Sequence, residues 1–322
     1  MIKIIDFKTA RSAFSGVAPS ELYELVRWCF MHKDEFQMPV KARLSQSDGD
    51  YYACMPCIHE GLDLAIAKMI GRHVAAAVQA GVPSMSSDIM CYEASSGKLL
   101  ALMDGEYLTT LRTGACAAFS ALEYVRDDYS EIGLIGLGNI MTVFMDVFVD
   151  MIGSRRVTVR LFRHKGQEER FAGRFAACEN ITFIYCDTYE DVIGPSDLVV
   201  SAVTKADTNF CEDCLYRPGV TVVPIMTLGF QNCDLFFDKV ITDEVDQIRG
   251  FKYFNSFKYV ANTDEVLHGL KPGRTSQEER ILVYNYGLAS LDLVFALKLL
   301  RLVEGRGSDI RYEVCNEKFF MK

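Results

Sequence analysis

Basic charge is scarce in this sequence. Its 34 lysines and arginines are outnumbered by 43 aspartates and glutamates, which gives a formal net charge of −9. A protein that binds nucleic acid or an anionic membrane surface generally needs a surplus of positive charge to displace counterions. The composition therefore argues against both classes of partner, but it allows a local basic pocket for a small anion.

Long apolar runs are also missing. A helix that spans a bilayer needs about 20 consecutive apolar residues, and no segment of the sequence reaches that length. Residues 134–149 are strongly apolar, but they include glycine, asparagine and aspartate, so we predict a strand followed by a helix there. We expect no membrane partner.

A regular cysteine framework is the third absence. The eleven cysteines are irregularly spaced and no signal segment precedes them, which is typical of reduced thiols in a cytoplasmic protein. The C-x-x-C pairs Cys54/Cys57 and Cys211/Cys214 lie far apart in the sequence, and no histidine is spaced as in a zinc finger. We therefore expect buried or loop thiols and no metal site.

The chain of 322 residues is long enough for two hydrophobic cores. In its first third, apolar spacing predicts one helix around Glu21–Lys33 and another from about Glu106 to Val125. The short runs between these helices have the composition of strands: Val40–Leu44, Tyr51–Met55, Ala65–Ile70, Ser86–Tyr92 and Leu99–Met103. Strands in this arrangement predict an α+β domain.

The middle third alternates strands with helices, which is typical of a parallel, doubly wound sheet of the Rossmann type. The predicted elements are strands Glu131–Leu137, Val157–Phe162, Thr182–Tyr185, Leu198–Ala202 and Val220–Pro224, with helices Asn139–Ile152 and Gln167–Cys178. We predict one long apolar helix over Glu278–Glu304 that packs against the first domain. The predicted α/β chain thus has a Rossmann domain at 128–277 and a discontinuous α+β substrate domain at 1–127 and 278–322.

A glycine-rich turn stands where the first strand of the Rossmann domain meets its helix. Gly136 permits a tight turn, and Gly138 lets the backbone approach a pyrophosphate at the helix N-terminus, where Asn139 and Ile140 begin the helix. The usual third glycine is replaced by Met141. The position of this G-x-G at a strand–helix junction predicts dinucleotide binding.

The end of the second strand bears on which dinucleotide is bound. An NAD site usually has an acid there, because a carboxylate accepts hydrogen bonds from the ribose hydroxyls. This chain has Arg163, His164 and Lys165 instead. These side chains favour the 2′-phosphate of NADP over NAD, with solvated loop charges as the alternative interpretation.

Several segments, in consistent order and spacing over nearly the whole chain, resemble the ornithine cyclodeaminase and mu-crystallin family. They are Met38-Pro39-Val40-Lys41 with Gly49-Asp50 and Met55-Pro56, then Leu64–Ile70, Ser96–Ala101, Leu108–Ala115, and Gly273–Ser276 with Glu278-Glu279, Gly287 and Asp292. The family includes ornithine cyclodeaminases, alanine dehydrogenases and ketimine reductases. The resemblance implies an NAD(P)-dependent oxidoreductase acting on CH–NH or CH–NH2 groups, and a homodimer formed through the non-Rossmann domain.

The resemblance also assigns roles. Arg112 matches the arginine that binds the substrate carboxylate, for which its planar fork is suited. Lys68 matches the active-site lysine and lies in an apolar run, where an ammonium is costly unless it is paired or functional. Lys41 and Met55, from the first signature, are expected to add to the substrate site, although Arg43 is an alternative to Lys41. Around the nicotinamide we expect Ser84, Arg112, Thr113 and the strand end Ala202-Val203-Thr204.

One departure from the family pattern concerns the reaction. Cyclodeaminases of this family have an aspartate just after the fifth strand, and here Leu228 takes that position when Asp234-Leu235 is aligned with the later acid–leucine pair. A leucine cannot transfer protons, so ornithine cyclisation is not expected unless Asp234 substitutes for the missing acid. Hydride transfer depends chiefly on the cofactor. We therefore expect a reductase or dehydrogenase of a small α-imino or α-amino acid. An ornithine cyclodeaminase and a mu-crystallin-like protein that binds NADP and a small ligand are the alternatives.

Overall fold

The computed structural model describes residues 1–46, 49–82, 84–225, 228–305 and 308–311, without the side chains of residues 77, 78 and 234. The strands of the described residues are β1 Ile2–Ile5, β2 Phe36–Gln37, β3 Ala42–Ser45, β4 Tyr51–His59, β5 Leu64–Arg72, β6 Met85–Glu93, β7 Leu99–Asp104, β8 Glu131–Ile135, β9 Val157–Phe162, β10 Ile181–Cys186, β11 Leu198–Ser201, β12 Thr221–Pro224, β13 Lys239–Thr242, β14 Val260–Asn262, β15 Ile281–Tyr284 and β16 Ser308–Ile310. The α-helices are α1 Phe7–Phe14, α2 Pro19–Met31, α3 Val74–Ala80, α4 Gly105–Tyr124, α5 Asn139–Ile152, α6 Gln167–Arg174, α7 Tyr189–Ile193, α8 Cys233–Phe236, α9 Val245–Ile248, α10 Thr263–Leu267 and α11 Ala289–Leu302.

The chain divides into two compact units, and both are discontinuous in sequence. The first contains the described parts of Met1–Val17, Asp34–Thr109 and Asp292–Lys322, and the second contains Ala18–Lys33 and Thr110–Leu291. The domain limits predicted above, at 127/128 and 277/278, stay a prediction.

The first unit is built on a mixed sheet in the order β16-β1-β7-β6-β5-β4-β2, with β3 also paired to β4. β1 and β7 run parallel, whereas the meander from β4 to β7 is antiparallel. An antiparallel sheet can bury one face and leave the other exposed. On β5 the buried positions alternate, and they include Leu64, Ile66, Lys68 and Ile70.

The second unit is built on a parallel sheet in the order β10-β9-β8-β11-β12-β15-β13-β14. Its central strands are buried on both faces, as the continuous burial of β11 and β12 shows. From β8 the chain runs outward through β9 and β10, then returns to the other side of β8 with β11. This reversal places a ligand crevice at the carboxyl ends of β8 and β11. The predicted doubly wound sheet is confirmed, and α5 and β9 have the predicted bounds.

The predicted long helix over Glu278–Glu304 is wrong. Its first part forms β15, which pairs in parallel with β12 and β13, and the helix α11 begins only at Ala289. Gly287 lies between them at φ +98°, a left-handed conformation that ends regular structure and suits glycine. Apolar spacing alone does not distinguish a short buried strand followed by a turn from the first turns of an apolar helix.

The described residues also bear on metal and membrane. Within them, no group of three or more histidine, cysteine, aspartate or glutamate side chains is arranged to hold a metal ion. None of the helices in these ranges has the length and apolar character required to cross a membrane.

Candidate active site

The β8–α5 turn is determined by its glycines. Gly136 has φ +85°, and a Cβ atom there would lie 2.7 Å from the carbonyl oxygen of Ala202. Gly138 is the N-cap of α5, without a side-chain cap, and a Cβ atom there would meet no protein atom within 4 Å. Gly136 is therefore required by the fold, whereas Gly138 leaves open space beside the unpaired N–H groups of a helix N-terminus. That space suits an anionic pyrophosphate.

A cleft of about 520 Å³ opens at this turn, within the second unit. It is lined by the predicted residues Gly136, Gly138, His164, Lys165, Ala202, Val203 and Thr204, and in addition by Ile135, Leu137, Phe162, Gln167, Tyr189 and Lys205. Asn139 and Ile140 begin α5 next to the cleft but are not part of its lining. The carboxyl-end positions of three parallel strands thus meet in one crevice of the size of a cofactor site.

The three basic residues after β9 do not share one role. His164 and Lys165 line the cleft. The exposed Arg163 does not, because its guanidinium lies 3.6 Å from the carboxylate of Asp187 and over the ring of Tyr185. Lys165 has φ +56°, unusual for a residue with a side chain. The backbone of this turn is thus strained beside the cleft.

Sequence inspection missed two residues near the cleft. Glu168, in the first turn of α6, is buried and accepts a hydrogen bond from the backbone N–H of His164 at 3.1 Å. Hydrogen bonds from the N–H groups of Glu168 itself and of His164 lower the pKa of its carboxyl. Tyr189, at the start of α7, stacks on Phe162 with ring centroids 4.1 Å apart. The acidic first turn of α6 is a recognisable signal for the former, but no motif marks the latter.

Arg112 is held on α4 by a close helix contact. Two residues later, a Cβ atom on Gly114 would lie 2.6 Å from Cβ of Val143 and 2.7 Å from the carbonyl oxygen of Ile140. Only glycine lets α4 approach the first turns of α5 this closely. Gly114 therefore fixes the preceding Arg112 and Thr113, both buried, relative to the glycine turn between β8 and α5.

The guanidinium of Arg112 lies against the backbone at Gly287. A Cβ atom on Gly287 would lie 3.0 Å from Nη1 of Arg112, so any side chain there would crowd the arginine. The N–H of Gly287 donates to Oδ2 of Asp243 at 2.6 Å. Burial raises the pKa of Asp243, and the positive charges of Lys33 and Arg112 oppose that rise. Arg112 is thus a buried cation that lies against the backbone of Gly287, close enough to the buried Asp243 carboxyl to oppose the rise of its pKa.

Lys68 belongs to the first unit and is completely buried on the inner face of β5. Its Nζ donates to Oδ1 of Asp292 at 2.9 Å and to Oγ1 of Thr109 at 2.6 Å. Met55 is its cross-strand partner on β4 and is also buried. The ammonium in this apolar face is therefore paired, which meets the energetic requirement stated for it above.

The remaining residues singled out from the sequence are exposed or half-buried, Lys41, Arg43 and Ser84 in the first unit and Leu228 in the second. Lys41 is half-buried just before β3, whereas Arg43 is exposed and stacks on the ring of Tyr51 at 4.1 Å. Ser84 is exposed, and its carbonyl accepts from the N–H of His73 at 2.9 Å. Leu228 is half-buried, and the preceding residues 226–227 and the Asp234 side chain lie outside the described residues.

In the segment Gly273–Ser276, which resembles the family, Arg274 has a structural role. Arg274 is held by the carbonyl oxygens of Tyr124, Gly219 and Glu279 and by Oγ1 of Thr221. One planar side chain thus joins the end of α4 to the start of β12 and to the segment before β15. Arg274 stabilises the second unit by these bonds and needs no ligand to account for its presence.

Within the second unit, the fold and the cleft define a protein with a Rossmann-type, dinucleotide-binding sheet. Residues 8–304 match the ornithine cyclodeaminase/mu-crystallin family, so the chain belongs to that family. It is similar to the Delta(1)-pyrroline-2-carboxylate reductase of Bacillus cereus, with 22% identity over 276 residues, 80% of this chain and 83% of the relative.

Two solved structures show the same fold. The Thermococcus litoralis Delta(1)-pyrroline-2-carboxylate reductase, in complex with NADH and L-proline, has a TM-score of 0.80 at 18% identity and covers 96% of this chain and 100% of its own. An archaeal alanine dehydrogenase dimer with bound NAD has a TM-score of 0.83 at 20% identity, covering 97% of this chain and 99% of its own.

The open space at Gly138 predicts that a substitution there weakens dinucleotide binding without lowering stability. Gly138→Ala keeps an allowed backbone conformation, so the unfolding midpoint in denaturant should stay at the wild-type value. The added methyl group takes up the space left for the pyrophosphate, and the Kd for NADPH and NADH should rise about tenfold or more, measured by calorimetry. Gly136→Ala is the contrasting variant, since strain of roughly 1–3 kcal/mol should lower its unfolding midpoint. Wild-type affinity in Gly138→Ala would contradict the placement of the pyrophosphate.

Proposed function

We propose that this protein is an NAD(P)-dependent reductase or dehydrogenase of a small α-imino or α-amino acid. The observation that carries the proposal is a pair of buried cations, Arg112 and Lys68, in a chain with an open glycine cradle for a dinucleotide. The Arg112 guanidinium is a planar fork of N–H donors, and the Nζ of Lys68 is held by Asp292 and Thr109. A small substrate with a carboxylate beside its reacting carbon matches donors of this kind.

Each residue has a role in this proposal. The Arg112 fork holds the substrate carboxylate through two parallel N–H donors. Lys68 donates a hydrogen bond to the carboxylate or to the substrate nitrogen, and Lys41 and Met55 complete the substrate site. Ser84 and Thr113, with the strand end Ala202-Val203-Thr204, orient the nicotinamide. The nicotinamide, when bound, accepts or delivers the hydride, and the chain positions the two partners.

The alternatives within the family are less well supported. Ornithine cyclisation needs an acid after β12, and the aligned position is Leu228. A mu-crystallin-like protein that only binds a small uncharged ligand would have no use for both Arg112 and Lys68. Hydride transfer to an imine that is already protonated on nitrogen gives the neutral amine, so this step does not require an acid at that position.

The turnover prediction follows from these roles. Purified protein should oxidise NADPH or NADH with cyclic imino acids, or with pyruvate plus an amine, or reduce NADP or NAD with an L-amino acid. Lys68→Met and Arg112→Met should each lower kcat/KM by about 100-fold or more, because each removes charged hydrogen bonds to the substrate. The exposed Lys98→Met and Arg156→Met are matched controls and should stay at the wild-type value. Tight dinucleotide binding without turnover, and without proline or ammonia from ornithine, would favour a binding protein.

The proposed cofactor preference is for NADP, supported by the positions of His164 and Lys165 in the cleft lining. Lys165→Ala should raise the Kd for NADPH about 10- to 100-fold, the value of a hydrogen bond to a charged group, and leave the Kd for NADH unchanged. Arg163→Ala is the matched control, because Arg163 is paired with Asp187 and does not line the cleft. A wild-type protein that binds NADH more tightly than NADPH would overturn this preference.

We also propose a cytoplasmic homodimer. The outer face of the sheet in the first unit carries a row of apolar residues in cross-strand register: Pro56, Ala67, Met90 and Leu102, with Met69 beside them. All are half-buried or exposed, and Met69 and Leu102 each keep 39% of their surface. A contiguous apolar patch of this kind marks an interaction surface. A second copy of the chain is the occupant favoured by the fold it shares with a dimeric alanine dehydrogenase.

The dimer has a direct test. Ala67→Glu places a charge in the middle of this row, so the variant should elute as a monomer of 36.2 kDa, whereas the wild type should have twice that mass in light scattering. Lys98→Glu, at the exposed β6–β7 turn, should remain dimeric. A wild-type protein that is monomeric at micromolar concentration would contradict the proposal.

A further inference from the structure

The buried ammonium of Lys68 is held from two helices at once. Asp292 reaches it from α11 and Thr109 from α4, at 2.9 and 2.6 Å. Lys68 and Asp292 both have no exposed surface. Each charge therefore stabilises the other where neither could persist alone. All three residues belong to the first unit.

The hydrogen-bond directions at this cluster are determined. The Thr109 hydroxyl donates to the carbonyl oxygen of Gly105, four residues earlier in the same helix. Because the hydroxyl hydrogen is used in that bond, Oγ1 of Thr109 can only accept a hydrogen bond from Lys68, and Nζ is the donor. Asp292 accepts a second N–H of the same ammonium. The lysine is thus kept in one orientation, with two N–H groups directed at fixed acceptors.

Stability alone is a poor reason for such a cluster. Replacing a buried ion pair with apolar residues of similar volume is often neutral or stabilising. The neighbouring inward positions of β5, Ile66 and Ile70, are apolar and buried, so an apolar residue at position 68 would match them. A cluster that orders an ammonium is more useful for binding an anion than for folding.

We infer that Asp292 and Thr109 are positioning residues, which hold Lys68 as a directed ammonium for the substrate carboxylate or nitrogen. This inference rests on the proposed function, because it takes Lys68 as a substrate ligand. Asp292 supplies the counter-charge, and Thr109 supplies the orientation. Neither residue needs to touch the substrate.

The test uses isosteric variants of the intact protein. Asp292→Asn removes the charge and Thr109→Val removes the hydroxyl, whereas Thr109→Ser keeps the acceptor. Ser290→Ala, a buried polar residue on the same helix as Asp292, is the control for disturbance of α11. The readouts are the Kd for L-proline at saturating NADPH or NADH, the Kd for the dinucleotide alone, and KM and kcat for the cyclic imine.

A positioning role predicts a selective loss. Asp292→Asn and Thr109→Val should weaken L-proline binding about 10- to 100-fold and raise KM accordingly, with the dinucleotide Kd unchanged. Thr109→Ser and Ser290→Ala should bind L-proline as the wild type does. A merely structural role would instead lower the unfolding midpoint and the active fraction, with KM unchanged. If Asp292→Asn fails to fold, the comparison of Thr109→Val with Thr109→Ser still distinguishes a positioning role from a structural one.

The outcomes separate this inference from the proposed function. Turnover with unaltered L-proline binding in Asp292→Asn and Thr109→Val would overturn the inference alone. Selective loss of L-proline binding, in a protein that turns over no substrate, would support the inference and overturn the proposed reaction. A wild type that neither binds L-proline nor turns over any imino acid would overturn both.

Discussion

The close approach of backbone at Gly136 and Gly114 is the constraint on which the second unit depends. A Cβ atom at either position would lie within 2.7 Å of another atom, at Ala202 or at the start of α5. The first contact shapes the turn from β8 into α5, and the second fixes α4 against that same helix. The dinucleotide cradle and the Arg112 side chain are therefore set by two residues that themselves carry no functional group.

The two buried cations, Arg112 and Lys68, each have a fixed set of polar neighbours. Arg112 lies against the backbone at Gly287, which in turn donates to the buried Asp243. The Nζ of Lys68 forms an ion pair with Asp292 and donates a hydrogen bond to the Thr109 hydroxyl oxygen. In both places a cation is kept in a low-dielectric setting, where its interaction with an anionic ligand is stronger than in water. The arrangement suits the recognition of a small carboxylate.

The sequence predicted the elements with strong local signals. The G-x-G turn, α5 and β9 could be located because a buried strand, a glycine turn and an apolar helix follow one another without interruption. Residues 278–304 were predicted as one helix because β15 is short and apolar, and its place in the sheet depends on distant β12 and β13. Non-local pairing of this kind leaves little trace in local spacing.

Some residues of the site could be predicted from the sequence, but their partners and some residues in or near the cleft could not. Lys68 and Arg112 could be named from the family resemblance, but the pairing of Lys68 with Asp292 joins residues 224 positions apart. Tyr189 lines the cleft without belonging to any motif, because stacking requires only a flat ring at the right place. Glu168 was overlooked since the acid lies in the helix after the strand, not at the strand end.

Hydride transfer to a substrate α-carbon is the central claim, and isotope transfer tests it most directly. The protein would be incubated with NADPH or NADH carrying deuterium at the transferred position of the nicotinamide and with Delta(1)-pyrroline-2-carboxylate, and the product analysed by mass spectrometry. The account predicts proline with one deuterium at its α-carbon, formed by the wild type and lost in Arg112→Met. Proline without deuterium would contradict direct hydride transfer. No product from this or any other small imino acid would contradict the assignment as a reductase.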